Sequence, residues 1–205
     1  MKDIQSNNLI QNIKIIAVSK TFAIEHVRPL IEYGHMHYGE NKIQEAIEKW
    51  SIEKKNNSNL KLHMLGKIQS NKVKFLLPLF DYLHSLDNEK VAEKISIEEK
   101  KKNKKLKIFI QVNIGDEAQK NGISIKEVKN FYLKCTKEFN LNIIGLMCLP
   151  PQSNDPREYF ELLSDISKNI NLKELSMGMS GDYIDAIKCG ATYIRIGSNI
   201  FGNRF

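Results

Sequence analysis

Hydrophobic residues along the chain alternate between short continuous runs and helical spacing. Residues 15–18 and 108–110 are continuous apolar runs, which are typical of parallel strands that are covered on both faces. Between such runs, apolar residues recur every three or four positions, as at Val27, Leu30 and Ile31, and this spacing predicts amphipathic helices. The pattern therefore predicts strands that alternate with helices.

Eight strand-like segments can be counted in this pattern. Their alternation with helices favours a parallel sheet in an α/β protein, and eight such units favour closure into a single (β/α)8 TIM-type barrel. A doubly wound open sheet is the alternative, because strand number alone does not prove closure. No shift in composition marks a domain boundary, so we predict one domain over residues 1–205, with residues 1–12 forming at most a short, frayed helix. The predicted strands lie near residues 15–18, 37–41, 60–65, 82–86, 108–113, 143–147, 175–180 and 193–197.

Two helix starts carry a capping signal. Asp87 precedes a helical pattern over residues 88–99 and is predicted to be its N-cap. Ser124 and Glu127 have the spacing of a capping box at the start of the next helix.

Composition indicates a globular protein of a reducing compartment. The hydrophobic fraction is 41%, and there is neither an apolar run of membrane-spanning length nor an N-terminal secretory pattern. Cys135, Cys148 and Cys189 are dispersed, which favours buried reduced thiols over a disulfide framework or a zinc site. We expect a cytoplasmic protein that does not bind a membrane or a metal.

The formal net charge of +7 raises the question of a nucleic-acid partner. Much of the excess lies in residues 100–107, which include six lysines without interleaved aromatic residues. This composition favours a solvated helix end over a polyanion site.

Lys20 is the first candidate for chemistry, because it follows the first buried strand. Functional groups of α/β barrels collect at the carboxyl ends of the strands. A desolvated lysine close to another cation loses its proton more easily and can form a Schiff base with an aldehyde. The alternative is an ordinary surface lysine.

Two glycine-containing turns follow the seventh and eighth strands. Gly178 precedes Ser180 in one, and Gly197 precedes Ser198 in the other. In α/β barrels these two loops often hold a phosphate, through backbone N–H groups and hydroxyls. The alternative is that each glycine serves only a tight turn.

Arg195 and Asn41, near the predicted strand ends, have two interpretations each. Arg195, in the last strand, is either a cation beside a bound anion, where it would lower the pKa of Lys20, or half of a structural ion pair with a carboxylate. Asn41 either contacts a ligand or caps a helix. His63 is expected to be a hydrogen-bonded core group without a chemical role.

Three methionines lie on the late strands. Met147, Met177 and Met179 are expected to be packing residues that could also line the site of a flat aromatic ligand.

Several segments, in order from about residue 13 to the end, resemble the pyridoxal phosphate homeostasis protein family. They include Val18-Ser19-Lys20-Thr21, Gly39-Glu40-Asn41-Lys42-Ile43-Gln44-Glu45, His63-Met64-Leu65-Gly66-Lys67-Ile68-Gln69-Ser70-Asn71-Lys72, Leu175-Ser176-Met177-Gly178-Met179-Ser180 and Arg195-Ile196-Gly197-Ser198-Asn199.

The resemblance implies an alanine-racemase-like barrel that carries pyridoxal 5′-phosphate as an aldimine of Lys20. It assigns the phosphate to Ser180, Gly197 and Ser198, and places Arg195 opposite the pyridine nitrogen, where a cation weakens the ring as an electron sink. Asn41 is carried over as a further contact. The family usually has a longer helix before the first strand and often a threonine in place of Ser198.

The implied function is vitamin B6 homeostasis by a cofactor carrier without a dedicated reaction. The main alternative is an amino-acid racemase of the same fold, which we expect to need a second domain after Phe205. A class I aldolase is disfavoured because the lysine is on the first strand, and a nucleic-acid binder would rest on residues 100–107 alone. We expect a monomer, with apo-enzymes that need the cofactor as further partners.

Overall fold

A computed structural model describes residues 13–117, 121–151 and 155–202. In this part of the chain, eight parallel strands form a closed barrel in sequence order, and β1 pairs with β8 from Lys14↔Tyr193 to Ala17↔Ile196. The predicted TIM-type barrel is confirmed, and the open-sheet alternative is wrong. The strands are β1 (Lys14–Val18), β2 (His37–Glu40), β3 (Lys61–Met64), β4 (Tyr82–Leu86), β5 (Lys107–Val112), β6 (Ile143–Cys148), β7 (Glu174–Met179) and β8 (Tyr193–Ile196).

Helices follow the strands on the outside of the barrel. Short 3-10 helices cover Ser70–Phe75 and Ile125–Glu127, and a π-helical turn covers Lys134–Glu138. The predicted frayed helix at residues 1–12 lies outside the described residues. The α-helices are α1 (Ile24–Glu32), α2 (Ile43–Asn56), α3 (Leu76–Leu79), α4 (Glu89–Lys102), α5 (Val128–Leu133), α6 (Pro156–Asn169), α7 (Tyr183–Lys188) and α8 (Ser198–Phe201).

The barrel has two separate cores. The larger one joins the outward face of the strands to the helices and includes Trp50 and Phe160, both fully buried. The smaller one fills the barrel interior and contains Ile16, Tyr82, Phe109, Met147 and Tyr193. Strands with apolar neighbours on both faces account for the continuous apolar runs in the sequence. In the described part of the chain, the interior of the barrel is therefore filled by side chains.

One predicted cap is wrong, and the other is confirmed in position but not in its hydrogen bond: Ser124 is the N-cap residue of the 3-10 helix Ile125–Glu127. The N-cap of α4 is Asn88, whose side chain accepts from Val91 N at 3.0 Å, and not Asp87. The Ser124 hydroxyl donates to the Glu127 carboxylate at 2.8 Å and caps no backbone N–H group. Asp87 instead accepts from the side-chain amide of Asn88 at 2.7 Å.

The lysine-rich run lies where α4 ends and β5 begins. Its first three lysines form the last turn of α4, where positive charge suits the helix dipole. Lys104 donates to the carbonyls of Leu77 and Phe80 at 2.6 and 2.9 Å, and Lys105 pairs with the buried Glu99 at 2.8 Å. The run is therefore a helix end with local partners.

The three cysteines are free thiols, and two of them are buried. Burial raises the pKa of Cys135 and Cys148 to about 12, so both behave as small apolar residues. In the described ranges, no helix combines the length and apolarity needed to cross a bilayer.

Candidate functional site

A cavity of about 700 Å³ opens at the carboxyl ends of the strands. This volume falls in the range of small-molecule sites. Apolar side chains of Val18, Phe22 and Leu65 line part of it. The cavity brings together all six residues that the sequence predicted for the site, namely Lys20, Asn41, Ser180, Arg195, Gly197 and Ser198.

Lys20 is presented by a tight turn directly after β1. The Phe22 N–H group donates to Ser19 O at 3.2 Å, and Thr21 has a φ of 72°. A β-branched residue in this left-handed region costs about 1–3 kcal/mol and persists only where surrounding contacts impose it. The turn that orients Lys20 is therefore held by its neighbours.

Glu40, which was not among the predicted site residues, provides much of that support. Its fully buried Oε1 accepts from the Ser19 hydroxyl at 2.7 Å, from Lys49 Nζ at 2.8 Å and from Trp50 Nε1 at 2.9 Å. Lys49 also donates to Ser19 O at 2.7 Å. A buried, charged cluster thus anchors the residue before Lys20. The only signal in the sequence was a glutamate at the end of a buried strand.

Asn41 follows β2 and lines the cavity. Helix α2 has Lys42 as its N-cap and no capping side chain, so the alternative role of Asn41 as a helix cap is wrong. A Cβ atom on Gly66, at the exit of β3, would lie 2.0 Å from Asn41 O. Glycine is required there because the two strand ends approach so closely.

The turns after β7 and β8 meet at another part of the cavity wall. The Gly197 N–H group donates to the Ser180 hydroxyl at 3.3 Å, and Asn199 Nδ2 donates to Ser180 O at 3.3 Å. Gly197 is the N-cap of the short helix α8, which begins at Ser198, and first-turn N–H groups of a helix lack intrahelical acceptors. Two hydroxyls and backbone donors are thus grouped where an anion could bind.

Arg195 is 5% exposed and reaches the cavity from β8. Its Nη1 donates to the Ser176 hydroxyl at 2.7 Å and its Nη2 to Cys148 O at 2.9 Å. Among the described residues no carboxylate forms an ion pair with it, so the alternative of a structural ion pair is wrong. Burial lowers the pKa of Arg195 from its usual value, yet a guanidinium keeps its charge.

His63 is buried and hydrogen-bonded, as predicted, but it does not act alone. Its Nε2 lies 2.9 Å from His37 Nδ1, and its Nδ1 lies 2.9 Å from His84 Nε2. His84 Nδ1 lies 2.8 Å from the hydroxyl of Ser176, which also contacts Arg195. The members of this hydrogen-bond chain lie on different strands, so no local pattern in the sequence indicates it.

The three methionines have different positions. Met147 and Met179 line the cavity, and Met179 is 40% exposed. Met177 is fully buried in the larger core, so it is a packing residue.

Comparison with known proteins agrees with this geometry. The family model described as "Alanine racemase, N-terminal domain" matches residues 4–204. A "Pyridoxal phosphate homeostasis protein" of Haemophilus influenzae is 35% identical over 210 residues, which cover 98% of this chain and 89% of that protein.

Solved structures are similar as well. PipY of Synechococcus elongatus, with pyridoxal phosphate (PLP) bound, matches with a TM-score of 0.84 and 30% identity, covering 94% of this chain and 93% of that one. An alanine racemase of Clostridium difficile shares the fold, with a TM-score of 0.75 and 17% identity over 97% of this chain and 54% of the racemase. The chain therefore belongs to the pyridoxal phosphate homeostasis protein family, whose barrel is of the alanine racemase N-terminal type.

Proposed function

We propose that the protein binds pyridoxal 5′-phosphate in this cavity, covalently through Lys20, and serves in intracellular vitamin B6 homeostasis. The observation that carries the proposal is the convergence of a lysine, an anion-binding turn and a buried arginine on one cavity. The PLP-bound structure of PipY and the names of the relatives support the same ligand.

The donor set fits the cofactor. Pyridoxal phosphate has an aldehyde, a phosphate dianion and a flat heteroaromatic ring, and the cavity walls offer an amine, hydroxyl and amide donors, and the side chains of Leu65 and Met147. When bound, the cofactor supplies an aldehyde whose oxygen leaves as water when a lysine nitrogen takes its place.

Each residue has a separate task in this proposal. Ser180, Gly197 and Ser198 hold the phosphate by hydrogen bonds, and Asn41 contacts the cofactor from the β2 side. Arg195 would face the pyridine nitrogen as a donor. Since Arg195 is always a cation, it disfavours a second positive charge beside it and leaves the ring a weak electron sink.

The wider role follows from this binding mode. A ring that is a weak electron sink suits storage and transfer of the cofactor better than amino-acid chemistry. We therefore propose a monomeric, cytoplasmic carrier that exchanges pyridoxal phosphate with apo-enzymes that need it, without a dedicated reaction of its own.

Borohydride trapping tests the proposal. Purified protein with added pyridoxal phosphate should show a visible absorption band, and reduction should leave one stable label on the peptide that contains Lys20. Lys20→Ala should lose the band and the label. Lys42→Ala is the matched control, because Lys42 is an exposed lysine paired with Glu45 at 2.7 Å, and it should keep both.

Two results would contradict the proposal. One is a wild-type protein that gains no band, and the other is a label on a lysine other than Lys20. Sustained loss of optical activity from a single-enantiomer amino acid would instead assign racemase activity and overturn the carrier role.

A further inference from the structure

Polar side chains cross the packed interior of the barrel in one unbroken line. The line begins at His37, at the start of β2, passes through His63 on β3 and His84 on β4, and crosses to Ser176 on β7 and Arg195 on β8. Its four hydrogen-bond distances are 2.9, 2.9, 2.8 and 2.7 Å. It connects the amino-terminal end of the barrel with the cavity at the other end.

All members except His37 are almost completely buried. His63, His84 and Ser176 are 0% exposed. His63 stacks on Tyr82 at 4.1 Å and His84 on Phe109 at 4.3 Å between ring centroids. A buried donor or acceptor without a partner costs free energy, so each proton position must suit both neighbours.

The fixed donor in this line is Arg195, because a guanidinium can only donate. Its Nη1–H occupies one lone pair of the Ser176 hydroxyl oxygen. Among the described residues, the only other partner of that hydroxyl is His84 Nδ1. The hydroxyl proton therefore points to His84, and His84 Nδ1 is an acceptor.

The accepting Nδ1 of His84 determines the proton positions on the other histidines. With Nδ1 accepting, neutral His84 carries its proton on Nε2 and donates to His63 Nδ1. His63 then carries its proton on Nε2 and donates to His37 Nδ1. An extra proton on His63 or His84 would set two N–H groups against each other, in agreement with the lowered pKa of both residues.

We propose that Arg195 sets the direction of this hydrogen-bond chain, and that Ser176, His84, His63 and His37 are positioning residues that hold the guanidinium at the cavity. All three histidines are neutral Nε2–H tautomers. One N–H of Arg195 Nη1 donates to the Ser176 hydroxyl, and one N–H of Nη2 donates to Cys148 O. Because these two bonds hold the guanidinium plane, its remaining N–H groups face a ligand in one orientation. The orientation of the remaining donors towards a ligand rests on the proposed function, whereas the assignment of the tautomers does not.

Nitrogen NMR of the labelled protein, as purified, tests the tautomers. The expected result is Nε2–H for His37, His63 and His84, with couplings across the hydrogen bonds from His84 Nε2 to His63 Nδ1 and from His63 Nε2 to His37 Nδ1. A proton on Nδ1 of any of the three, or missing couplings, would overturn the chain.

Ser176→Ala tests the positioning role. It removes the link between Arg195 and His84, so the Nε2–H tautomer of His84 should give way to a mixture. The dissociation constant for pyridoxal phosphate should rise about tenfold, the effect of losing one hydrogen bond to a charged group. Ser96→Ala is the matched control, since it loses one buried hydrogen bond, to Phe139 O at 2.6 Å, on helix α4.

The outcomes separate the two proposals. Unchanged tautomers in Ser176→Ala would overturn the role of Arg195 in setting direction. Equal dissociation constants for pyridoxal phosphate in Ser176→Ala and Ser96→Ala would overturn the role of Ser176 in positioning Arg195. A wild-type protein without a borohydride label on Lys20 would overturn the proposed function alone and leave the tautomer result standing.

Discussion

Mild acid should destabilise this protein through His63 and His84. Burial lowers the pKa of both residues well below 6.5; the neighbouring histidine adds to the effect at His63, and the Arg195 cation adds to it at His84. In the unfolded chain both titrate near 6.5. The unfolded state therefore binds protons that the folded state does not, and stability is full above pH 6.5 and is lost as the pH falls below it.

The magnitude follows from this difference in proton binding. At one pH unit below the unfolded pKa, each neutral buried histidine lowers the free energy of unfolding by about 1.4 kcal/mol, so the pair lowers it by about 3 kcal/mol. This is a large share of the roughly 5–15 kcal/mol that stabilises a typical domain. The pKa of His37 is lowered to about 4, chiefly by burial, so this residue adds a further loss in the same direction.

Urea unfolding at constant ionic strength, in steps from pH 7 to pH 5.5, measures the effect. At its lower end, the slope of unfolding free energy against pH should correspond to an uptake of about two protons by His63 and His84, plus the contribution of His37. His84→Phe, whose ring can stack on Phe109 as the imidazole does, should reduce that uptake by about one proton. A flat stability profile, or a folded-state pKa of His63 near 6.5 by NMR, would refute the reasoning.

Two further predictions concern single contacts. Glu40→Gln leaves the Lys49 ammonium buried without its counter-charge and should lower the unfolding free energy by about 3 kcal/mol. Glu45→Gln, in an exposed pair, is the control and should change the urea midpoint little. Similar losses of unfolding free energy in both variants would contradict the prediction. Gly145→Ala would bring a Cβ atom to 1.9 Å from a backbone oxygen of β7 and should cost about 3 kcal/mol or more in thermal unfolding. Gly181→Ala, with no atom within 4 Å of its Cβ, should melt like wild type, and equal melting of the two variants would show that the barrel relaxes.

Strands were the most predictable part of the fold. The predicted limits of β4, residues 82–86, agree with the structure, and those of β6 differ by one residue. β6 is an apolar run, which is typical of a strand covered on both faces. β4 is buried at all five residues although it contains His84 and Ser85. Helix starts were less predictable. Asp87 and Asn88 are adjacent and both can cap a helix, and the choice depends on where the backbone turns.

Five of the six candidate site residues were predicted from positions at or just after strand ends and Arg195 from its position inside the last strand, and all six line one cavity. Parallel strands have their carboxyl ends on the same side of a barrel, so sequence position was enough to group them. Glu40 could not be assigned in this way, because its partners Ser19, Lys49 and Trp50 come from three different segments.

By itself, the sequence determined the order of strands and helices and the residues at the barrel mouth, since both follow from local patterns of burial and turn formation. The tertiary structure decided which buried polar groups meet. His63 looked like an isolated core histidine, and only closure of the barrel and the strand register place it between His37 and His84. Hydrogen bonds across a barrel depend on distances between strands far apart in the chain, and no local pattern encodes those distances.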